Sequence, residues 1–251
     1  MKHAFANRAR YLADPGYADV PTAALIDPAT IDDLARQIDL RRTFPPETYG
    51  STIAGFESNG TSHFSIIDGE GRAVACTETI NLPFGSLVGV PQWGIVLNDE
   101  MDDFTTTPGK ANAFGLAQSD DNLPAPGKRP LSSMSPTIVT DRNGDVRAIA
   151  GASGGPRIIT GTIQVLLNVL LLHQRPADAV SAPRFHHQWI PDRLDVEETW
   201  SNDALLAQLK ARGHVIGRRP SVGKVQLIVV DEQGRRHAVS DPRKGGIPAG
   251  H

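Results

Sequence analysis

Cysteine is nearly absent: Cys76 is the only one among 251 residues. An intramolecular disulfide is therefore excluded, and so is a zinc site built on several thiolates. An excess of one charge is also missing. With 25 Lys and Arg against 28 Asp and Glu, the formal net charge is -3, which leaves no electrostatic footprint for nucleic acid or an anionic membrane. Long apolar runs are lacking too. The longest, Val165 to Leu172, contains Asn168 and is far too short to span a bilayer. After Met1-Lys2 come His3-Ala4-Phe5-Ala6-Asn7-Arg8, not the apolar core of a secretory leader. The expectation is a soluble globular chain, one large or two small domains. Three motifs are missing as well: a phosphate loop ending in Lys-Ser/Thr, an EF-hand loop, and a Gly-x-Ser-x-Gly elbow.

What is present falls into two textures. Met1 to Leu12 reads as a helix broken by Asp14-Pro15-Gly16, and Asp27-Pro28 starts a second with Ile31, Leu34 and Ile38 on one face. Pro45-Pro46 through Gly60 reads as an exposed linker rich in Gly and Ser. From Thr61 onward strands dominate. Phe64-Ser65-Ile66-Ile67 and Ala73-Val74-Ala75-Cys76-Thr77 flank Asp68-Gly69-Glu70-Gly71, a hairpin signal. Gly94 to Leu97 reads as a buried strand. A second hairpin joins Thr137-Ile138-Val139 to Val146-Arg147-Ala148-Ile149, and a third joins Val225 to Val230 with Arg236 to Ser240. Between them lie a long apolar helix from Ile158 to Leu172, a short one after Pro176, the strand Leu194-Asp195-Val196 and the helix Asn202 to Arg212. Strands grouped with strands predict layered sheets covered by helices, not a parallel Rossmann sheet.

Several clusters carry chemistry. At Gly60-Thr61 a flexible junction opens a strand. A hydroxyl there becomes a good nucleophile if the chain is cut before it, because a free α-amine titrates near neutrality and serves as base; by itself a Thr after a turn is also an ordinary strand start. Alternation puts Thr77, Thr79 and Asn81 on one face of the paired strand. Asn98-Asp99-Glu100-Met101-Asp102-Asp103 holds four acids within five residues, either a solvated acidic turn or a site for a cation. Lys128-Arg129-Pro130-Leu131-Ser132-Ser133-Met134-Ser135-Pro136 pairs a basic entry with three serines. Gly151-Ala152-Ser153-Gly154-Gly155-Pro156 precedes a helix, as a routine cap or as a nest of amides for a developing oxyanion.

Taken in order, Gly60-Thr61-Ser62-His63-Phe64-Ser65, Thr79-Ile80-Asn81-Leu82-Pro83-Phe84-Gly85, Leu97 to Phe104, Arg129 to Thr137, Gly154-Gly155 and Pro183-Arg184-Phe185-His186-His187 resemble the small subunit of γ-glutamyltransferases (γ-glutamyltranspeptidases). The likeness runs from Met1 to Asp241-Pro242-Arg243. It implies an α+β fold, the αββα four-layer sandwich of the N-terminal-nucleophile (Ntn) hydrolases, here a partial copy lacking most of the large-subunit portion. Residues 1–60 would be the tail of that portion and residues 61–251 the small-subunit catalytic part. Thr61 would cut the chain at Gly60/Thr61 and then form a γ-glutamyl ester from glutathione or related amides, passed to water or to an amino acid or dipeptide. Thr79 would position it. Asn81, Glu100 and Asp103 would hold the substrate α-ammonium, Ser132 and Ser133 its α-carboxylate, and Gly154 and Gly155 the oxyanion. Phe114, in the stretch from Pro108 to Ser119, would belong to a lid.

No cofactor or metal is implied, and no nucleic acid or membrane span. Family precursors extend far upstream of Met1, so the resemblance implies a missing large-subunit segment as partner, including an arginine that clamps the substrate carboxylate. It also implies a periplasmic or extracellular enzyme. Two alternatives stay open: a cephalosporin- or glutaryl-type Ntn amidase, and an inactive truncated fragment that needs a partner chain.

Overall fold

The computed structural model describes residues 1–50, 60–105, 107, 110, 112–116 and 118–250. Most of the linker expected before Gly60, namely 51–59, and positions 108, 109, 111 and 117 of the expected lid lie outside the described residues.

The chain begins with helices α1 (Lys2–Tyr11), α2 (Thr22–Leu25) and α3 (Pro28–Arg36). Asp27 caps α3 by accepting from the Thr30 amide at 3.1 Å, and Pro28 sits where a missing N–H costs nothing. Strands β1 (Thr61–Ile67) and β2 (Ala73–Thr79) form a hairpin, and β3 (Gly89–Val90) pairs with β4 (Ile95–Val96). Then follow β5 (Thr137–Thr140), β6 (Val146–Ser153), α4 (Arg157–Leu170), α5 (Pro176–Ser181), β7 (Phe185–His186), β8 (Leu194–Glu197), α6 (Asp203–Ala211), β9 (Ile216–Arg219), β10 (Lys224–Val230) and β11 (Arg236–Val239).

Three hairpins turn on one device. Asp68, Asp141 and Asp231 each fold a carboxylate back onto the amides two and four residues ahead, at 2.8–3.1 Å. A glycine three residues after each Asp takes a positive φ, 84° at Gly71, 91° at Gly144 and 76° at Gly234. The sequence pattern Asp-x-x-Gly therefore encodes the turn directly.

The main sheet runs β11-β10-β6-β5, antiparallel throughout. Along β6 the alternation divides its two faces. Ala148, Ala150 and Ala152 meet Ile158, Val165 and Leu166 of α4, Val180 of α5, and Val225 and Leu227 of β10 in the principal core. Alanines let the helix sit close to the sheet. On the opposite face His63 of β1 lies over Gly151. The β1–β2 hairpin is thus a second β layer behind the helix-covered sheet. Its inner positions are largely polar, whereas Phe64, Ile66 and Val74 on the outer side are 44%, 52% and 48% exposed. A second core joins Phe5 and Ala6 of α1 to Phe114, Leu116, Trp189 and Ile190, bringing the N-terminal helix against the strand-rich part.

One expectation needs correction. Gly94 to Leu97 is not a buried strand: only Ile95–Val96 form a ladder, and Ile95, Val96 and Leu97 are 48%, 40% and 44% exposed. A short apolar run reads alike whether it is covered or bare, because coverage depends on what packs on it. Among the described residues one pairing is parallel, that of β8 with β9. Ile216-Gly217-Arg218-Arg219 has no apolar alternation to announce a strand; Arg219 and Arg193 both bind the nearly buried Asp195 and tie it down electrostatically. No helix among the described residues is long and apolar enough to cross a membrane.

Candidate active site

Thr61 opens β1 opposite Thr79, the last residue of β2. The Thr61 and Thr79 hydroxyls are 3.0 Å apart, and Thr79 Oγ1 donates to the Gly60 carbonyl at 3.3 Å. Thr79 therefore spends its proton on Gly60, so Thr61 is the donor between the two hydroxyls. The Asn81 amide donates to Thr79 Oγ1 at 2.8 Å and completes its coordination. A second donor, the Ile80 amide, reaches the Gly60 carbonyl at 3.3 Å. The carbonyl before Thr61 thus carries two donors, while the hydroxyl after it hands its proton away. That arrangement favours attack of Thr61 on Gly60. A side chain at Gly60 would run into the carbonyl oxygens of Asn81 and Leu82, so glycine is the residue that fits.

Behind the nucleophile strand, His63 bonds Thr77 Oγ1 at 2.7 Å through Nδ1 and Ser65 Oγ at 3.0 Å through Nε2. Burial, helped by the Lys244 charge, pushes its pKa down to about 4, so it is neutral at physiological pH. Thr77, expected beside Thr79 and Asn81, serves His63 instead. Lys244 reaches in from the C-terminal segment and donates to the Thr61 carbonyl at 2.9 Å and Ser62 Oγ at 3.0 Å.

Past β2 the chain turns at Asn81, which has φ 68°, a left-handed conformation that Asn tolerates better than most residues. Its Nδ2 donates to the Asp99 carbonyl at 3.2 Å, and Asp99 in turn accepts the Leu82 amide at 3.0 Å. This draws the acidic turn against the end of β2. Glu100 to Asp103 form one turn of 3-10 helix. Glu100 Oε1 is buried with no donor among the described residues, and burial, aided by Asp103 and Asp99, lifts its pKa to about 7. Asp103 is pushed up to about 6, chiefly by burial and against the pull of Arg8. Two carboxyls that resist ionising in the empty site would ionise readily around a bound ammonium.

The serine stretch faces them. Ser132 Oγ accepts from the Met134 amide at 3.0 Å, and Ser133 Oγ accepts from Arg8 Nη2 at 3.1 Å. Gly154 and Gly155 lead into α4 with φ 134° and 57°. Phe114 packs on the second: a Cβ at Gly155 would stand 2.5 Å from the Phe114 ring. Phe114 itself is held from behind. Its carbonyl accepts from Gln188 Nε2 at 2.9 Å, Gln188 Oε1 accepts from His186 Nε2 at 2.9 Å, and Thr160 Oγ1 of α4 bonds His186 Nδ1 at 2.8 Å.

A cleft of about 260 Å³ is lined by Thr61, Thr79, Asn81, Asp103, Phe114, Ser132, Ser133, Met134, Gly155 and Ile158. Eight of the eleven residues singled out from sequence converge there. Gly60 and Gly154 adjoin the wall without lining it, and Glu100 stands behind Asp103 on the same turn. Met134, Ile158, Arg8 and Lys244 had not been anticipated. The first two follow or flank expected motifs. Arg8 and Lys244 have no local signal, since each acts across more than a hundred residues.

Helices on a sheet, a second β layer behind it, and a strand-opening threonine between a hydroxyl and a glycine pair define the Ntn-hydrolase class. The model of one family, "Gamma-glutamyltranspeptidase", matches residues 1–251, and the chain belongs to that family. It is 43% identical over 243 residues to the glutathione hydrolase proenzyme of Escherichia coli, covering 96% of this chain and 42% of that protein. The γ-glutamyltranspeptidase of Pseudomonas nitroreducens, solved with L-DON, superposes with a TM-score of 0.72 at 44% identity over 76% of this chain and 99% of that one. A cephalosporin acylase from Bacillus halodurans superposes with a TM-score of 0.77 at 24% identity, over 96% of this chain and 42% of that one, a likeness of fold alone. The chain spans less than half the length of the first curated relatives it matches.

Proposed function

We propose that this chain carries γ-glutamyl transfer and hydrolysis, prepared by its own cleavage at Gly60/Thr61. Thr61 Oγ attacks the Gly60 carbonyl carbon, the C–N bond to Thr61 breaks, and an ester replaces the amide. Water then cleaves the ester, leaving a carboxylate on Gly60 and a free α-amine on Thr61. The observation that carries this reading is the line of groups from Thr61 through Thr79 to the Gly60 carbonyl, at 3.0 and 3.3 Å. After cleavage the α-amine takes the Thr61 proton. The freed oxygen attacks the γ-amide carbon of glutathione or another γ-glutamyl compound, and the amine product leaves with that proton. The γ-glutamyl ester passes to water or to the amine of an amino acid or dipeptide.

Recognition follows the charges. Asn81, Glu100 and Asp103 suit an α-ammonium, Ser132 and Ser133 an α-carboxylate, and the Gly154-Gly155 amides the oxyanion, with Phe114 as part of a lid above them. The unpartnered Glu100 Oε1 favours a substrate bearing an amino group over a glutaryl-type amide. Cleavage divides the chain into residues 1–60 and 61–251. The bare apolar side of β1 and β2, with Phe64, Ile66 and Val74, supports a reading in which a further segment completes the sandwich and the pocket. The activity belongs to that completed assembly, and residence in the periplasm or outside the cell is part of the same proposal.

Mass spectrometry of the purified chain tests the first step. Two fragments divided at Gly60/Thr61 are expected, with Thr61→Ala remaining whole. A soluble, folded wild type that stays intact after long incubation overturns the self-cleavage. Rates on γ-glutamyl-p-nitroanilide against glutaryl-p-nitroanilide then separate the substrate classes; equal or inverted rates overturn the γ-glutamyl assignment.

A further inference from the structure

Arg8 sits on the buried side of α1 with 6% of its surface exposed. Its Nη2 donates to Ser133 Oγ at 3.1 Å and to the Leu131 carbonyl at 3.4 Å. Its Nη1 is buried with no hydrogen-bond partner among the described residues. Asp103, which is 8% exposed and lines the cleft, offsets part of that burial at longer range, without a direct ion pair among the described residues. A guanidinium is kept in such a place only where it has anions to serve, because burying its charge is otherwise costly.

The hydrogen-bond inventory gives this contact a direction. Arginine has donors and no acceptor, so Ser133 Oγ must receive, and its own proton stays free for the cleft it lines. Ser132 is in the same condition, because its oxygen receives the Met134 amide. Two hydroxyls with a proton free to give thus converge on one wall, with a permanent cation behind the second. That arrangement favours an anion over a neutral or cationic group.

We propose that Arg8 is a positioning and specificity residue of the cleft: it fixes the Ser133 hydroxyl as a donor and supplies the charge that selects an α-carboxylate. The assignment rests on the γ-glutamyl reading of the site. It concerns a residue of this chain, distinct from the arginine that the family resemblance places outside it. If Arg8 served only to neutralise Asp103, its loss would weaken every ligand with an amino group, whether or not a carboxylate accompanied it.

Calorimetric titration of the full chain with L-glutamate and with 4-aminobutyrate, which lacks only the α-carboxylate, separates these roles. Wild type should prefer glutamate. Arg8→Met should weaken glutamate about tenfold or more while leaving 4-aminobutyrate unchanged, the effect of one charge-assisted contact. Equal weakening of both ligands, or none, overturns the assignment. Should Arg8→Met fail to fold, Arg8→Lys and Ser133→Ala are combined in a double-mutant cycle on glutamate binding. Non-additive losses support coupling through the Ser133 hydroxyl, and additive losses overturn it. A folded wild type that does not discriminate the two ligands removes the γ-glutamyl reading, and the Arg8 assignment falls with it.

Discussion

Two clusters of buried charge in this molecule are built to opposite rules. Near the C-terminus, Arg184 and Arg243 face Glu197 and Asp241, two cations against two anions. Both carboxylates are saturated. Asp241 takes Arg184 Nη2 at 2.5 Å, the Val225 amide at 2.7 Å, the Arg243 amide at 2.9 Å and Arg243 Nη1 at 3.1 Å. Glu197 takes the Val222 amide at 2.7 Å, the Arg184 amide at 3.0 Å and Arg243 Nη2 at 2.6 Å. Burial alone would raise the Asp241 pKa, but the charge and hydrogen bond of Arg184 bring it below the ordinary value. At the cleft, Asp99, Glu100, Asp102 and Asp103 crowd one turn, and the Arg8 guanidinium reaches only Asp103 among those whose pKa it shifts. In charge the first cluster is balanced within the protein and both its carboxylates are filled, although Arg184 Nε and Nη1 have no hydrogen-bond partner among the described residues. The second is left short of positive charge. A structural ion network closes on itself; a binding site is left open for what it binds.

The contrast is broken most severely by opening the closed cluster. Asp241→Asn keeps the shape and removes the charge, leaving Arg184 buried beside Arg243 without its counter-ion. Urea unfolding should show a loss of about 3–5 kcal/mol, the usual result of breaking one side of a buried pair. Replacing both partners, Asp241→Leu with Arg184→Met, should recover part of that loss. A single variant as stable as wild type would mean that this cluster is as open as the cleft.

Much of the frame was legible in sequence because it is written locally. The three Asp-x-x-Gly turns, the Asp27-Pro28 helix start and the apolar repeat of α4 each contain their own instruction. Most of the cleft was legible through motifs at characteristic spacing, from Gly60-Thr61 to Gly154-Gly155. What escaped depends on pairing at a distance. Arg8 is an ordinary helical arginine until Ser133 and Asp103 are folded against it. β9 is held by its parallel ladder to β8, by Ile216 against the core and by the Arg219–Asp195 ion pair, not by apolar alternation. The Pro183-Arg184 and Asp241-Pro242-Arg243 stretches were visible as motifs, but which charge meets which was not.

Ligand binding sharpens the comparison from the open side. An α-ammonium requires ionised carboxylates, yet burial lifts the Glu100 pKa to about 7. Affinity for L-glutamate should therefore fall about twentyfold from pH 8 to pH 6: about tenfold as Glu100 goes from roughly nine-tenths to roughly one-tenth ionised, and about twofold more from Asp103. The ammonium and carboxylates of the ligand do not titrate in that window. Glu100→Gln should lower the affinity and leave only the shallower slope of Asp103, about twofold between pH 8 and pH 6, measured by calorimetry across the same range. A wild-type profile with no slope would remove Glu100 from the ammonium site.

The smallest effect is on stability, and its sign divides the two clusters. For Glu100 and Asp103 the folded pKa is raised above the unfolded value. Their favourable contribution is present in full below the unfolded values of 4.5 and 3.8 and is lost as pH rises through about 7 and about 6. Asp241 is depressed, so its contribution is present above the unfolded value of 3.8 and lost as pH falls through the folded one. From pH 5 to pH 8 the ligand-free protein should therefore lose stability through the cleft and not through the ion network. Glu100→Gln should stabilise the fold at pH 8, by no more than about 1 kcal/mol because the side chain is half in water, and leave its stability unchanged below pH 4.5. The difference between variant and wild type, followed by thermal unfolding, should shrink as pH falls through about 7 and vanish only below the unfolded value of 4.5. A variant that is equally displaced at both ends of that range would tie the effect to packing of the turn rather than to its unpaired charge.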